Sequence, residues 1–425
     1  MAEATSRHMN QALLILSLLY IASLFWRRWL VLSYAKSLPH LPTEPLPQDT
    51  LTIAQAILSG DPLLELRLET NLANLPRQRF LWLIDEDDAE ARRIAEKLRR
   101  PHLRVELCPP CPDATNPKLW KLQIASKFVR TPFFAVIDDD TTLPASSAAA
   151  LVEAAKTSTV ATGLPCYLDG KNQASALLAQ FVNNNSIFTY LGTSRLLPPF
   201  TLNGMGYVMR REELERIQHF QPILHELTDD LALATLVLKL GGSIHQSKAP
   251  LQVQTGVRDM RHYLQMMHRW YVFTLLLLKR QSIPVQALIF VLHGLPPMML
   301  GSSILLMGVI SGQVLGITLL VYFIFLSGLL PPLVGGLLSL LAFIALFWMG
   351  IEPASYLLLI VLFLRGALLP AIQSMFFGES RYRPLLSLLS ELIQPIHLIH
   401  ALASRTIRWR TRRYRVRDTH DFTAV

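Results

Sequence analysis

Phe133-Phe134-Ala135-Val136-Ile137-Asp138-Asp139-Asp140 is an apolar run that ends in three acids. Five consecutive apolar residues ending in two β-branched ones read as a strand of a sheet covered by helices on both faces. The acids then stand at a strand end. From so rigid a place, two carboxylates two residues apart can share one hard cation while it neutralises phosphate oxygens. Asp87-Asp88 lies upstream, Asp229-Asp230 downstream, and Arg269-Trp270 follows just before a long apolar block.

The pattern on either side of this run is that of an α/β domain. Pro39, Pro42, Pro45 and Pro47 mark a linker, after which Leu51 to Leu58 is expected as a first, weakly patterned strand. Phe80 to Ile84 is the next, ending at Asp85-Glu86-Asp87-Asp88 and feeding a helix over Ala89 to Arg99; Leu103 to Leu107 is again a strand. Beyond the central run, Ser146 to Thr157 reads as a helix. Thr228 is a fitting N-cap for a helix from Asp229 to Leu240 that stops at Gly241-Gly242, so both acids lie in its first turn. Tyr263 to Lys279 is an amphipathic to strongly apolar helix expected along a membrane interface. No internal repeat is evident.

Of the 425 residues 51% are hydrophobic, and the mean hydropathy is +0.33, values that call for lipid. Gln281 through Ile351 contains no Asp, Glu, Lys or Arg; at roughly 20 residues per span this is room for about three helices. Breaks at Gly312, Pro331-Pro332 and Glu352-Pro353 predict four helices, the last including Tyr356 to Leu364 and the apolar residues after Arg365. Ala12 to Trp26 is flanked by Arg7 and by Arg27, Arg28 and Lys36, with no small-residue cleavage site. It reads as an uncleaved anchor that continues through Trp29-Leu30-Val31-Leu32 with its arginines snorkelling, or as an interfacial helix. Leu385 to Ala403 carries Glu391, Gln394, His397 and His400, which are expensive against lipid. That segment lies in the interface, re-enters, or spans inside a bundle.

The formal charge of +9 is concentrated in Arg405, Arg408, Arg410, Arg412, Arg413, Arg415 and Arg417. Arginines interleaved with aromatics also occur in RNA-binding segments, but a basic stretch after membrane helices is what the positive-inside rule predicts. The tail is therefore expected in the cytosol, with no nucleic-acid partner. The three cysteines, Cys108, Cys111 and Cys166, give no disulfide framework. Cys108-Pro-Pro-Cys111 lacks the second ligand pair of a zinc site.

Taken singly, each acidic pair has a plain structural reading, because Asp in a first turn complements the helix dipole and Asp after a strand makes a turn. Their order changes the reading. A strand-end Asp-x-Asp, a later helix-start acid, Arg-Trp and then apolar spans is the order of membrane-bound nucleotide-sugar glycosyltransferases. The chain resembles the ceramide glucosyltransferase family (family 21) and its bacterial lipid and hopanoid glycosyltransferase relatives, within the wider family-2 enzymes of GT-A fold. The resemblance rests on Asp85-Glu86-Asp87-Asp88-Ala89, Asn116-Pro117-Lys118, Ile137-Asp138-Asp139-Asp140 and Asn203-Gly204-Met205-Gly206-Tyr207-Val208-Met209-Arg210. Thr228-Asp229-Asp230-Leu231-Ala232, Arg269-Trp270 and Trp409-Arg410-Thr411-Arg412-Arg413-Tyr414-Arg415 complete it, so it covers about Leu51 to Arg417. Two departures stand out. Met266 occupies the place of the signature's Gln or Arg, with Gln265 one place earlier, and Gln55 or a neighbour replaces a basic residue of the first strand.

The resemblance implies a Rossmann-like, nucleotide-sugar-binding GT-A catalytic domain between an N-terminal membrane anchor and a C-terminal bundle of transmembrane helices. The expected divisions are 1–44 for anchor and linker, 45–258 for the catalytic domain, 259–283 for the interfacial helix with Arg-Trp, 284–376 for transmembrane helices, and 377–425 for an amphipathic or membrane-embedded helix and basic tail. It further implies Asp230 as general base toward the acceptor hydroxyl, with Asp229 as the runner-up or a helix-start support. Asp88, Lys118, Asp138 and Asp139 would bind the nucleotide sugar, and Asp138 and Asp140 a divalent cation, Mg2+ or Mn2+. Arg269 would stabilise the leaving UDP and Trp270 stack on sugar or acceptor. The implied activity is inverting transfer of a hexose, glucose in the first instance, from a UDP-sugar to the hydroxyl of a membrane lipid: ceramide, diacylglycerol or a hopanoid. The alternatives are a processive polysaccharide synthase and a non-catalytic membrane scaffold. The catalytic domain is expected to face the cytosol, at a bacterial inner membrane or the eukaryotic Golgi or endoplasmic reticulum.

Overall fold

The structure, a computed structural model, describes residues 2–170, 172–312, 314–317, 319, 353–409, 412–418 and 422–424. Its first element is the long helix α1 (Ala2–Ser37). A β-strand, β1 (Leu51–Ala56), then enters an α/β region through α2 (Leu64–Asn74), β2 (Arg79–Asp85), α3 (Ala89–Lys97), β3 (Leu103–Cys108), α4 (Pro117–Ser126) and β4 (Phe133–Ile137). There follow β5 (Thr141–Thr142), α5 (Ala145–Ala155), β6 (Val160–Tyr167), α6 (Gln173–Ile187), β7 (Gly206–Arg210), α7 (Arg211–Arg216), α8 (Asp229–Lys239), β8 (Ile244–Val253) and α9 (Met260–Lys279).

Eight strands form one sheet in the order β3-β2-β1-β4-β7-β6-β8-β5. From β3 to β4 the pairing is parallel, with Ile53 opposite both Phe80 and Ala135. Beyond β4 it turns mixed: β7 runs antiparallel to β4 and β6, whereas β6 and β8 are parallel. Helices bury both faces, which is why β4 carries unbroken apolar sequence and the polar Thr52 and Gln55 of β1 are buried. One face packs Ile53, Trp82, Ala135 and Val208 under Leu68, Ile94 and Leu151. The other packs Leu81, Phe134, Val136 and Tyr207 under Leu122, Phe220 and Leu233.

This is the expected α/β, GT-A-like fold class with apolar helices at both ends. The chain leaves β1 toward β2 and β3 on one side, and β4 lies on the other. Between the carboxyl ends of β1 and β4 the sheet therefore has a topological switch point, where open α/β sheets bind ligands.

Among the described residues four helices are long and apolar enough to cross a membrane: Arg7–Ser37, Ile283–Ile310, Tyr356–Phe377 and Pro384–Ala403. The proposed breaks at Pro331-Pro332 and at Glu352 lie outside the described residues. Three findings refine the expectations for these helices. Arg27 does not snorkel but is buried over the Phe188 ring, 5.1 Å from its centroid. Glu391 meets its cost by pairing with Arg365 at 2.7 Å and accepting from Tyr20 at 2.9 Å. The basic tail is folded: β9 (Thr406–Trp409), β10 (Arg412–Val416) and β11 (Phe422–Ala424) form an antiparallel sheet. Ile407 and Val416 of that sheet are buried with Val272 and Leu276 of α9.

Candidate active site

At the switch point β4 delivers Asp138, whose backbone N–H donates to Met205 O at 3.1 Å. The α4 helix starts there because Asn116 caps it, accepting from the N–H groups of Lys118 and Leu119, with Pro117 in the first turn. Its first turn aims Lys118 Nζ between two carboxylates, 2.6 Å from Asp138 Oδ1 and 2.6 Å from Asp229 Oδ2. The Asn116 amide also donates to Glu226 O and Leu227 O. One residue therefore ties the lysine's helix to the segment that leads into α8.

Asp229 and Asp230 open α8, as expected from sequence. Asp230 Oδ1 accepts from the Leu231 N–H at 2.8 Å. Its Oδ2 lies where a Cβ on Gly204 would be only 3.0 Å away. A glycine is needed there for that close approach. Thr228 holds the N-cap position but makes no side-chain cap bond.

The electrostatics follow from this crowding. Burial, with the neighbouring Asp140 and Asp229 carboxylates adding to it, pushes Asp138 up to about 7 in spite of the Lys118 ammonium. Burial and Asp229 likewise raise Asp230 to about 6. For Lys118 burial works toward deprotonation, but Asp138 and Asp229 outweigh it and hold the amine charged, its pKa well above the ordinary lysine range. Asp138 and Asp229 thus share one ammonium, with Asp140 beside the first and Asp230 beside the second.

Asp140, Asp139, Asp88 and Trp270 connect to this centre through the contacts of their own segments. Asp140 Oδ2 accepts from Thr255 Oγ1 at 2.7 Å. Asp139 Oδ2 accepts from the Leu58 N–H and Asp88 Oδ2 from the Ser59 N–H, both at 2.9 Å, so the two acids clamp the chain leaving β1. Asp88 also caps α3 through Ala91. Burial opposes its ionisation, yet the Ala91 and Ser59 bonds keep its pKa below the usual carboxylate value. Trp270 packs edge-on against Tyr167 with centroids 6.3 Å apart, and the Tyr167 hydroxyl lies 3.8 Å from Met205 Sδ. Through Met205 and Tyr167 the Arg-Trp helix reaches the strand end that carries Asp138. Arg269, half-buried on the same helix, acts on the charge of His262.

Several contributors were missed in sequence. Lys121 is buried, pairs with Asp85 at 2.9 Å and donates to Ile57 O at 2.9 Å. Its spacing of three from Lys118, on one face of a helix, was the available signal. Arg67 binds Asp139 O, Gln254 O and Asp61 Oδ2 at 3.1, 3.0 and 2.9 Å, fixing the loop that carries the acids. It was legible as a charge on the buried Leu64-Leu68-Leu72 stripe of α2. Thr255 and Tyr167 carried no such signal.

The oxygen-only donors and the uncompensated negative charge around Asp138 fit a hard cation at Asp138 and Asp140. Among the described residues no cluster of three or more His, Cys, Asp or Glu side chains could hold a metal by itself.

Comparison with known proteins gives a match to the family described as glycosyl transferase family 21 over residues 11–325 and 313–421. No curated protein matches. Among solved structures, a mannosyltransferase from Pyrobaculum calidifontis in complex with GDP-Man and Mn2+ is 15% identical, with 87% of this chain and 100% of that chain covered and a TM-score of 0.44. GalNAc-T7 with UDP, GalNAc and Mn2+ is 10% identical, with 49% of this chain and 44% of that chain covered and a TM-score of 0.37.

Proposed function

Since the chain belongs to glycosyl transferase family 21, the family of the ceramide glucosyltransferases, we propose that it moves a hexose, glucose, from a UDP-sugar to the hydroxyl of a membrane lipid such as ceramide, with inversion at the anomeric carbon. The observation that carries this reading is the meeting of Asp138 and Asp229 on Lys118 at the switch point, with Asp140 and Asp230 as the neighbouring carboxylates.

In this reading the lipid oxygen attacks the anomeric carbon while the bond from that carbon to the β-phosphate oxygen breaks, and the electron pair leaves with UDP. Asp230 takes the hydroxyl proton. A carboxyl poised near 6 is ionised at neutral pH yet more basic than an ordinary aspartate, as a general base needs. Lys118 lends positive charge to the phosphate side and holds Asp138 and Asp229 in place. Asp138 and Asp140 would hold the divalent cation, Mg2+ or Mn2+, which when bound supplies positive charge against the departing diphosphate. Asp88 and Asp139 shape the nucleotide edge by clamping Leu58 and Ser59. Arg269 adds charge toward the leaving UDP, and Trp270 stacks on sugar or acceptor. The charge of the arginine-rich C-terminal segment supports a cytosolic catalytic domain under the positive-inside rule, on a chain that crosses the membrane several times.

Incubating membranes that contain the protein with a panel of UDP-sugars, then extracting lipids for mass spectrometry, tests the proposal. One hexose increment on a single lipid class is expected, its parent mass naming the acceptor. A polymer as product would instead identify a processive synthase, and no transfer from any UDP-sugar would overturn the reading.

A further inference from the structure

A second site lies on the far face of α9 from Trp270. Arg261, Leu264, Gln265 and His268, spaced three and four apart, form one stripe of that helix. With His400, Thr406, Ile407, Arg408 and Arg413 they enclose a cavity of about 310 Å³. No acid lines it. Among the described residues Arg261, Arg408 and Arg413 form no ion pair, and the acids nearest to them in sequence are engaged elsewhere. Asp259 caps α9 through the His262 N–H, and Asp418 pairs with Arg280 at 2.9 Å.

Two further observations point to a missing anion. Arg408 and Arg413 are direct cross-strand partners in the β9–β10 pair, and like charges directly opposite destabilise a hairpin. An anion between them turns that cost into a charge-assisted pair of contacts. On the helix side, His268 and His400 stack with ring centroids 4.0 Å apart. His268 lies 3.2 Å from Thr406 O through Nε2, while its buried Nδ1 has no hydrogen-bond partner.

We propose that this pocket binds a phosphate ester through Arg261, Arg408 and Arg413, as a site separate from the acidic cluster. Guanidinium forks from two elements suit the tetrahedral oxygens of phosphate better than a halide or a lone carboxylate. The volume admits a phosphate together with the start of its substituent. His400 belongs to the last turns of the apolar helix Pro384–Ala403, so the pocket stands at a helix end where lipid phosphates gather. A soluble phosphate ester offers the same group.

The test is thermal unfolding of the full-length protein in two arms. In neutral detergent, inorganic phosphate is titrated against sodium chloride of equal ionic strength. In nanodiscs, phosphatidylcholine alone is compared with phosphatidylcholine plus phosphatidylglycerol. The wild type should be stabilised by several degrees in at least one arm. A shift with inorganic phosphate identifies a free phosphate ester as sufficient, and a shift with phosphatidylglycerol alone identifies a lipid headgroup. R408Q/R413Q should lose the shift, and R261Q, which alters a different element, should weaken it. D230N should keep the shift, which separates this pocket from the acidic site whatever becomes of the proposed transfer activity. No stabilisation in either arm, or a shift retained by folded R261Q and R408Q/R413Q, overturns the proposal.

Discussion

Asp230 carries the sharpest consequence at the residue scale. Burial and Asp229 raise it to about 6, and a general base works only as the carboxylate. Transfer should therefore be nearly constant above pH 7 and fall about tenfold per unit below about 6. Initial rates between pH 5 and 8 check this, and a rate that stays flat down to pH 5 contradicts the role. Lys118 gives a second prediction. Replacing it by Met leaves Asp138 and Asp229 facing each other without their shared ammonium, at a cost of about 3–5 kcal/mol. Divalent cation should restore more stability to Lys118→Met than it adds to the wild type, as read from denaturant midpoints with and without Mg2+. The acids were legible through their order along the chain, since each pair taken singly also serves a turn or a helix start. Lys121 and Arg67 left only a local trace, a charge on an otherwise buried helix face, and their partners Ile57 O and Gln254 O are too distant in sequence for that trace to name.

At the scale of elements, strands and helices with strong local signals stood where the sequence put them. β4 agrees residue for residue with Phe133 to Ile137, and α3 and α8 start at Ala89 and Asp229 as expected. β1, poorly patterned in sequence, is central in the sheet, because burial on both faces removes the alternation that marks half-buried strands. The cost of Glu391 could be foreseen, but Arg365 and Tyr20 as its partners depend on how the helices pack. Asn116 links two elements of the site. Asn116→Ala removes the cap of α4 and its bonds to Glu226 O and Leu227 O, and should cost about 1–2 kcal/mol. Because Lys118 rides on that cap, nucleotide affinity should fall as well. Unfolding midpoints and UDP titration measure the two effects, and an unchanged affinity would separate the cap from the site.

Across the whole molecule, fold class and membrane association could be read from composition and period, whereas the mixed half of the sheet could not. β7, β6, β8 and β5 come together through crossovers of antiparallel and parallel pairing that depend on long-range register. The arginine-rich end read as a plain basic tail because charge dominates its composition, yet Ile407 and Val416 are buried against α9. The acidic site gathers β4, α4 and α8, with α9 reaching it through Tyr167. The proposed transfer therefore depends on elements drawn from across the chain. The most direct measurement pairs transfer of radiolabelled sugar from UDP-sugar to lipid with UDP binding in the Asp230→Asn variant. Transfer should fall on the order of 10²–10⁴-fold with UDP affinity unchanged, and a variant that turns over like the wild type would contradict the account.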